Sequence, residues 1–341
     1  MRAYDSSHGL QATVSVVIPC FNEARTIRSC IESVMSSSGD NIWLQIVAVD
    51  GGSEDGTMEI LSEMQQECEA LSVLHNEAKI TPVGLNMGIK ASMGEFILVL
   101  GAHTTICSDY VEILVKDLQN DPAAACAGGV SVSVSGETLF QQVAGYVGES
   151  RFGVGSSHFR IGTRAKRYVD TVAYGLYRRE ALDQIGLFDE RLVRNQDIEL
   201  SHRIRHNGYN IILNPSVSAY YHPRPSLSRF CGQGFSNGYW NITTHGLVPG
   251  SLSARHFVPL LAVASGIGLL VLSFYSSWAR GALSLLAAFY LALDMYESVS
   301  IALKKRNPRA LLSLLAFPLL HVSYGLGSLC SLFTLSDRKD R

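Results

Sequence analysis

The sequence predicts an α/β protein: a Rossmann-like, mostly parallel sheet followed by C-terminal transmembrane helices. Three observations carry this. Short apolar runs alternate with roughly ten-residue helical patterns through the first hundred residues, the mark of βαβ units. One run, Phe96 to Gly101, is apolar or glycine throughout without alternation, as in a strand buried on both faces. And three late segments are long and almost free of charge, which suits a bilayer rather than a soluble core.

Val14 to Pro19 reads as a first strand, and Ala24 to Ser36 has helical spacing through Ile27, Ile31 and Val34. Leu44 to Val49 is a second strand, running into the glycine-rich Asp50-Gly51-Gly52-Ser53-Glu54-Asp55-Gly56-Thr57. A helix over Thr57 to Gln66, a short strand over Leu71 to His75 and a helix over Pro82 to Ser92 lead to the Phe96 strand. That strand stops at Gly101-Ala102-His103, and ligands of open α/β sheets bind outside the carboxyl ends of strands. Tyr110 to Gln119 reads as a helix, Ala123 to Val134 as a strand, and Leu139 to His158 is ambiguous. Then come a strand over Tyr168 to Leu176, helices over Arg179 to Ile185 and Asp197 to His206, and two short strands, Asn210 to Leu213 and Val217 to Tyr221.

Charged residues are 17% of the 341, against about 25% in soluble domains. The deficit is concentrated after Phe257. Phe257 to Tyr275, Ala282 to Leu303 and Ala310 to Leu335 are expected membrane segments, the third crossing again or re-entrant around Pro318. Lys304, Lys305, Arg306 and Arg309 would lie on the cytoplasmic side. The expected domains are 1–225 catalytic, 226–255 interfacial and 256–335 in the membrane. Met1 to Thr13 are polar without an apolar h-region, so the catalytic part is expected in the cytoplasm, at the inner membrane. Seven cysteines with no CxxC pair argue against a disulfide framework or a zinc site. A net charge of −2 gives no reason to expect nucleic acid.

The first βα turn, Pro19-Cys20-Phe21-Asn22-Glu23, has no GxGxxG, and no Walker motif occurs, so a glycine nest for phosphates is not indicated. The turn together with Val49 to Thr57, Asn86, and Gly186-Leu187-Phe188-Asp189-Glu190 followed by Arg194 to Leu200 resembles the large inverting GT-A glycosyltransferase family, family 2 type. Its exopolysaccharide branch, with succinoglycan-type glucosyltransferases, is the nearest likeness, and the resemblance covers about Val14 to Trp240.

The resemblance implies an inverting hexosyltransferase that uses a nucleotide sugar, expected to be UDP-linked. It would add a single hexose to a polyprenyl-linked saccharide in exopolysaccharide or cell-envelope glycan synthesis. Acceptance by polyprenyl phosphate itself, or a non-catalytic role in a membrane assembly, are the alternatives. Donor contacts are implied for Pro19, Phe21, Asn22, Glu23, Asp50, Asp55, Lys79, Asn86 and Ala102. From the residues alone, Asp50 also suits an Asx turn, Asp55 a helix cap, Glu23 a helix N-terminus, and Lys79 and Asn86 a solvated surface. The family's Asp-x-Asp metal motif reads Gly101-Ala102-His103 here. That leaves His103, with His222 downstream, to hold a divalent metal, Mn²⁺ or Mg²⁺. Arg178, Arg179 and Arg224 are candidates to neutralise phosphate. Asp197, after Gln196, matches the catalytic base, and a helix cap is its other role. Gln233 and Trp240 stand where processive members carry Gln-x-x-Arg-Trp. The missing Arg-Trp pair points to single addition.

Overall fold

The computed structural model describes residues 12–39, 41–134, 138–221 and 226–339. Strands β1 (Ala12–Cys20), β2 (Ile42–Asp50), β3 (Leu71–His75) and β4 (Phe96–Val99) are joined by α1 (Ile27–Met35), α2 (Thr57–Glu67) and α3 (Thr81–Ala91). Then follow β5 (Thr104–Ile106), α4 (Tyr110–Asn120), β6 (Ala124–Ser133), α5 (Leu139–Gly148), α6 (Arg151–Val154) and α7 (His158–Ile161). The chain continues through β7 (Arg167–Tyr168), β8 (Leu176–Arg178), α8 (Arg179–Ile185), α9 (Gln196–His206) and β9 (Asn210–Tyr221). It ends in α10 (Leu227–Leu247), α11 (Val258–Ser273), α12 (Ser277–Lys305) and α13 (Ser313–Lys339), with 3₁₀ turns at Ala254–His256 and Pro308–Leu312.

The sheet runs β3-β2-β1-β4-β8-β6-β9-β5, with β7 on β9. β3, β2, β1 and β4 are parallel, and β8 pairs antiparallel with β4. Both faces of the strands are covered: Val16, Ile18, Ile46, Ala48, Phe96 and Leu98 on one face are buried with Ile27, Ile31 and Leu61 of the helices, and Val17, Val47, Val49 and Ile97 on the other are buried too. Each such aliphatic side chain contributes about 1.5–3 kcal/mol on burial. Gly88 lets α3 lie flat on the sheet, since a Cβ there would stand 2.4 Å from Val17 Cγ1.

The chain leaves β1 toward β2 and β3, then returns across to β4 on the other side of β1. This reversal makes the carboxyl ends of β1 and β4 the crevice where a ligand is expected.

Two expectations differ from the fold. The strand foreseen over Tyr168 to Leu176 is broken: Tyr174 has φ +52°, outside extended backbone, so only Arg167–Tyr168 and Leu176–Arg178 pair. The two short strands foreseen after Asn210 are one, β9.

The chain forms two compact units. The first holds the described residues up to Val132 and Gly162–Tyr221, and the second holds Ser133–Ile161 and the described residues from 226 on. The boundary expected at residue 225 therefore misses an excursion. α5 starts in a Thr138/Gln141 capping box and buries Val143, Ala144 and Val147 with Phe230, Ile301, Ala310 and Phe317. Glu149 pairs with Lys305 at 3.0 Å, and Asn307 donates to the Tyr146 hydroxyl at 3.1 Å.

In the second unit α10 and α13 touch backbone to backbone. A Cβ on Gly238 would stand 1.9 Å from the Tyr324 carbonyl oxygen, and one on Gly327 2.0 Å from that of Phe235. Ala254–Ser273, Ser277–Lys305 and Pro308–Thr334 are long and apolar enough to cross a membrane.

Candidate active site

The loops after β1 and β2 are tied together by their own polar groups. The Asn22 amide donates to Ser53 Oγ at 2.8 Å, the Glu54 amide to Asn22 Oδ1 at 2.9 Å, and the Glu23 amide to Thr57 Oγ1 at 2.8 Å. Asp55 completes the tie. One oxygen accepts from the Ala24 amide at 3.1 Å, and the other accepts the Thr57 hydroxyl at 2.5 Å. The Thr57 hydroxyl, then these amides, hold its carboxyl below the ordinary value of 3.8. Asn22 sits at φ +55°, in the left-handed region Asn tolerates better than most residues.

Asp50 lies beneath, 1% exposed. Its Oδ2 accepts from the Gly52 and Ser53 amides at 2.8 and 3.0 Å, and its Oδ1 accepts the Ser53 hydroxyl at 2.5 Å. The carboxylate is bonded to its own turn, as an Asx residue would be. Cys20, beside it, has its thiol pushed up to about 12 by burial first and the Asp50 charge next, so it is no nucleophile. Lys79, at φ +55°, extends over Gly52: a Cβ there would meet Lys79 Cε at 3.2 Å and His75 Cε1 at 3.7 Å.

Across the crevice, His103 follows β4. Its Nδ1 is 3.2 Å from Glu23 Oε1, and its ring meets Tyr221 edge-on at 5.7 Å. Glu23 Oε2 accepts the Thr26 hydroxyl at 2.9 Å. The two residues flanking the topological reversal, one after β1 and one after β4, are therefore in contact. Ala102 is buried and Phe21 is 55% exposed. Pro19 is the penultimate residue of β1, paired in register with Val49.

α9, which packs on β9, carries Asp197 in its first turn, where the helix dipole favours an ionised carboxylate. Burial, then the Cys126 and Asp197 charges, pushes the Tyr177 hydroxyl well up. Gln196 Oε1 is buried without a hydrogen-bond partner.

Two clamps hold the 186–190 turn before α9, and neither was foreseen. Asn86 donates to the Phe188 carbonyl and to Glu190 Oε1, both at 2.9 Å, and accepts from the Phe188 amide at 3.0 Å. Its amide is thereby used up, away from the donor contact expected of it. Arg203 donates to the Ile185 and Gly186 carbonyls at 2.8 Å and to that of Leu187 at 2.6 Å. It also pairs with buried Glu199 at 2.6 Å. The i,i+4 spacing of Glu199 and Arg203 was the available signal.

Arg178 differs from its expected phosphate role. It pairs in register with Phe96, at the entry end of β4. It donates to the Ala124 carbonyl at 2.9 Å and to that of Leu118. Arg179 likewise donates to the Gly94 and Ser92 carbonyls at 2.6 and 3.0 Å. Gln233 and Trp240 stand on α10 of the second unit, half-buried. His222 and Arg224 lie outside the described residues.

Residues 15–186 match the sequence profile of Glycosyl transferase family 2. The chain belongs to that family. It is 31% identical over 333 residues to the Succinoglycan biosynthesis protein ExoA of Rhizobium meliloti (strain 1021), covering 94% of this chain and 96% of that one. It is 25% identical over 321 residues to a dolichyl N-acetyl-alpha-D-glucosaminyl phosphate 3-beta-D-2,3-diacetamido-2,3-dideoxy-beta-D-glucuronosyltransferase of Methanococcus voltae, covering 92% and 95%. Its fold matches the mannosyltransferase PcManGT from Pyrobaculum calidifontis, solved with GDP-Man and Mn²⁺. The TM-score is 0.59 at 18% identity, covering 93% of this chain and 87% of that one. This family 2 member is accordingly a glycosyltransferase with a GT-A fold.

Proposed function

We propose that this glycosyltransferase is membrane-anchored and inverting. It adds a single hexose from a UDP-linked sugar to a polyprenyl-linked saccharide at the cytoplasmic face of the inner membrane, in exopolysaccharide or envelope glycan assembly. The observation that carries the reading is the Glu23–His103 contact at the carboxyl ends of β1 and β4, where a donor diphosphate would sit. The relatives support the substrate classes: one is named for succinoglycan biosynthesis, the other for a dolichyl-linked acceptor.

The residues fit a divalent ion. When Nδ1–H of His103 is donated to Glu23, Nε2 keeps its lone pair, the arrangement seen where a carboxylate orients a metal-bound imidazole. An imidazole ligand suits Mn²⁺ better than Mg²⁺. Among the described residues no three His, Cys, Asp or Glu gather, so His103 would share the ion with the donor's own oxygens. Bound there, the ion would stabilise the charge on the leaving diphosphate.

The chain's residues do the rest. Lys79 extends over the β2 turn toward the donor side. Asp197 takes the proton from the acceptor hydroxyl as it attacks the anomeric carbon, and the helix dipole keeps it ionised for that task. No covalent intermediate is required. Single addition agrees with the absence of the Arg-Trp pair.

Purified enzyme with UDP-hexose and a polyprenyl-diphosphate-linked saccharide tests this. The expected product carries one added sugar with an inverted anomeric linkage. A retained linkage, a polymer, or transfer to polyprenyl phosphate alone would overturn it.

A further inference from the structure

The three apolar helices do not present the same surface. α11 turns Leu261, Ile267, Leu270, Val271 and Leu272 outward on all sides, and only 6% of its apolar window is buried. The first half of α12 does the same with Leu285, Phe289, Leu291 and Leu293. The turn between them carries exposed Phe274, Tyr275 and Trp278, the aromatic residues that favour a membrane–water boundary. The 16 residues of α11 rise about 24 Å, and the 20-residue segment Ala254–Ser273 is long and apolar enough to cross the hydrocarbon. α11 and α12 thus form a hairpin with lipid around it.

α13 is covered on one face. Of its exposed apolar residues, Leu315, Leu319, Val322, Leu326 and Phe333 follow helical spacing along one stripe, and Leu332 lies about 100° round the helix from it. Ala316, Phe317, Ser328 and Ser331 on the other face are buried. Much of that face packs on α10, and the two helices run parallel. Phe230 clusters with Phe317. A Cβ on Gly234 would meet Leu320 Cδ1 at 3.3 Å, and Thr243 hydrogen-bonds Ser331 at 2.9 Å. Yet α10 carries Arg229, Gln233, Asn237, Asn241 and His245, too polar a set for hydrocarbon.

α13 meets α11 near its beginning. A Cβ on Gly325 would stand 2.4 Å from Val263 Cγ2 and 2.7 Å from the Pro259 carbonyl oxygen. The Phe257 ring lies 5.2 Å from His245, near the end of α10. Past Val263, α11 keeps Ile267, Leu270, Val271 and Leu272 exposed, whereas a third crossing helix running along it would cover more of them.

We propose that α13 does not cross. It lies in the interface at the end of the hairpin where α11 begins, with its apolar stripe in the acyl chains of that leaflet and α10 on its watery side. The partner is an anionic lipid surface. Lys304, Arg306 and Arg309 are exposed between the end of α12 and the start of α13, where they meet lipid headgroups, while Lys305 is paired with Glu149. The chain then crosses twice, and its C-terminus returns to the side of the first unit. This rests on the membrane reading above.

The test uses the full chain in cells, with an epitope tag at the N-terminus, in the 274–277 turn, or at the C-terminus. Tags are probed from each side of sealed membrane vesicles, and the vesicles are washed with carbonate. The expected result is a carbonate-resistant protein with N- and C-terminal tags on one side and the turn tag on the other. A C-terminal tag on the side of the turn means three crossings and overturns the proposal alone. Release by carbonate overturns the membrane reading and the proposal with it. The substitution Val322→Lys distinguishes further. An interfacial stripe tolerates it by reaching headgroups, so inserted protein stays within about twofold of wild type, whereas Ile267→Lys in the hairpin lowers it several-fold. Equal losses would count against the interfacial placement.

Discussion

The first unit and the second handle their polar groups in opposite ways. In the first, Asn22, Ser53, Asp55 and Thr57 tie the loops after β1 and β2 together, and Asn86 and Arg203 hold the turn before α9. In the second, hydroxyls sit inside helix contacts, as Thr243 with Ser331 or Ser328 with the Gly238 carbonyl at 3.1 Å. There glycine, not charge, sets how near the helices come. The difference teaches where each unit is vulnerable. The first fails when a partner of a buried charge or amide is removed. The second fails when volume is added.

The largest effect tests chemistry at the start of α9. Asp197→Asn removes the proposed base and is expected to lower kcat about 10²- to 10⁴-fold, with the UDP-sugar Kd unchanged. A parallel loss of donor affinity would make Asp197 a structural cap instead. Next, Arg203→Leu strands Glu199 in the interior, which is 2% exposed, and is expected to cost about 3–5 kcal/mol in denaturant unfolding. The double variant Glu199→Leu with Arg203→Leu should recover part of it. In the second unit, Gly238→Val forces α10 off the Tyr324 carbonyl, expected to cost at least about 1–3 kcal/mol. It should lower the thermal transition of the helical unit while UDP binding persists. A loss of both together would show the units to be one cooperative body.

The smallest effect is in pH. Asp55 is depressed below 3.8, chiefly by the Thr57 hydroxyl. Its stabilisation is therefore complete above the ordinary carboxylate value and is lost only as pH falls through the depressed one. Hydrogen exchange at Ala24 and Thr57 should stay slow at pH 4 and quicken below, and Asp55→Asn should flatten that dependence.

The parallel half of the sheet was legible because runs such as Phe96 to Gly101 are apolar on both faces and cannot alternate. The crevice was legible from the carboxyl ends of two apolar runs, since His103 follows the Phe96 run and Glu23 stands in the first βα turn. What was not legible depended on distant partners. Asn86 looked like a donor contact, but its amide meets Phe188 and Glu190, about a hundred residues on. Arg178 looked like a phosphate ligand, because spacing along a strand does not say which end it occupies. Its antiparallel register with Phe96 decides that. The excursion through 133–161 stayed ambiguous because the apolar partners of Val143 and Val147 lie at Phe230 and Phe317.

The Glu23–His103 corner is the centre of the account, and UDP binding measured by calorimetry with and without Mn²⁺ tests it most directly. Wild type is expected to bind UDP at least tenfold tighter with Mn²⁺, and His103→Ala to lose that gain while keeping its thermal transition. Mn²⁺-dependent binding that survives His103→Ala unchanged would contradict the assignment of this corner to the donor diphosphate.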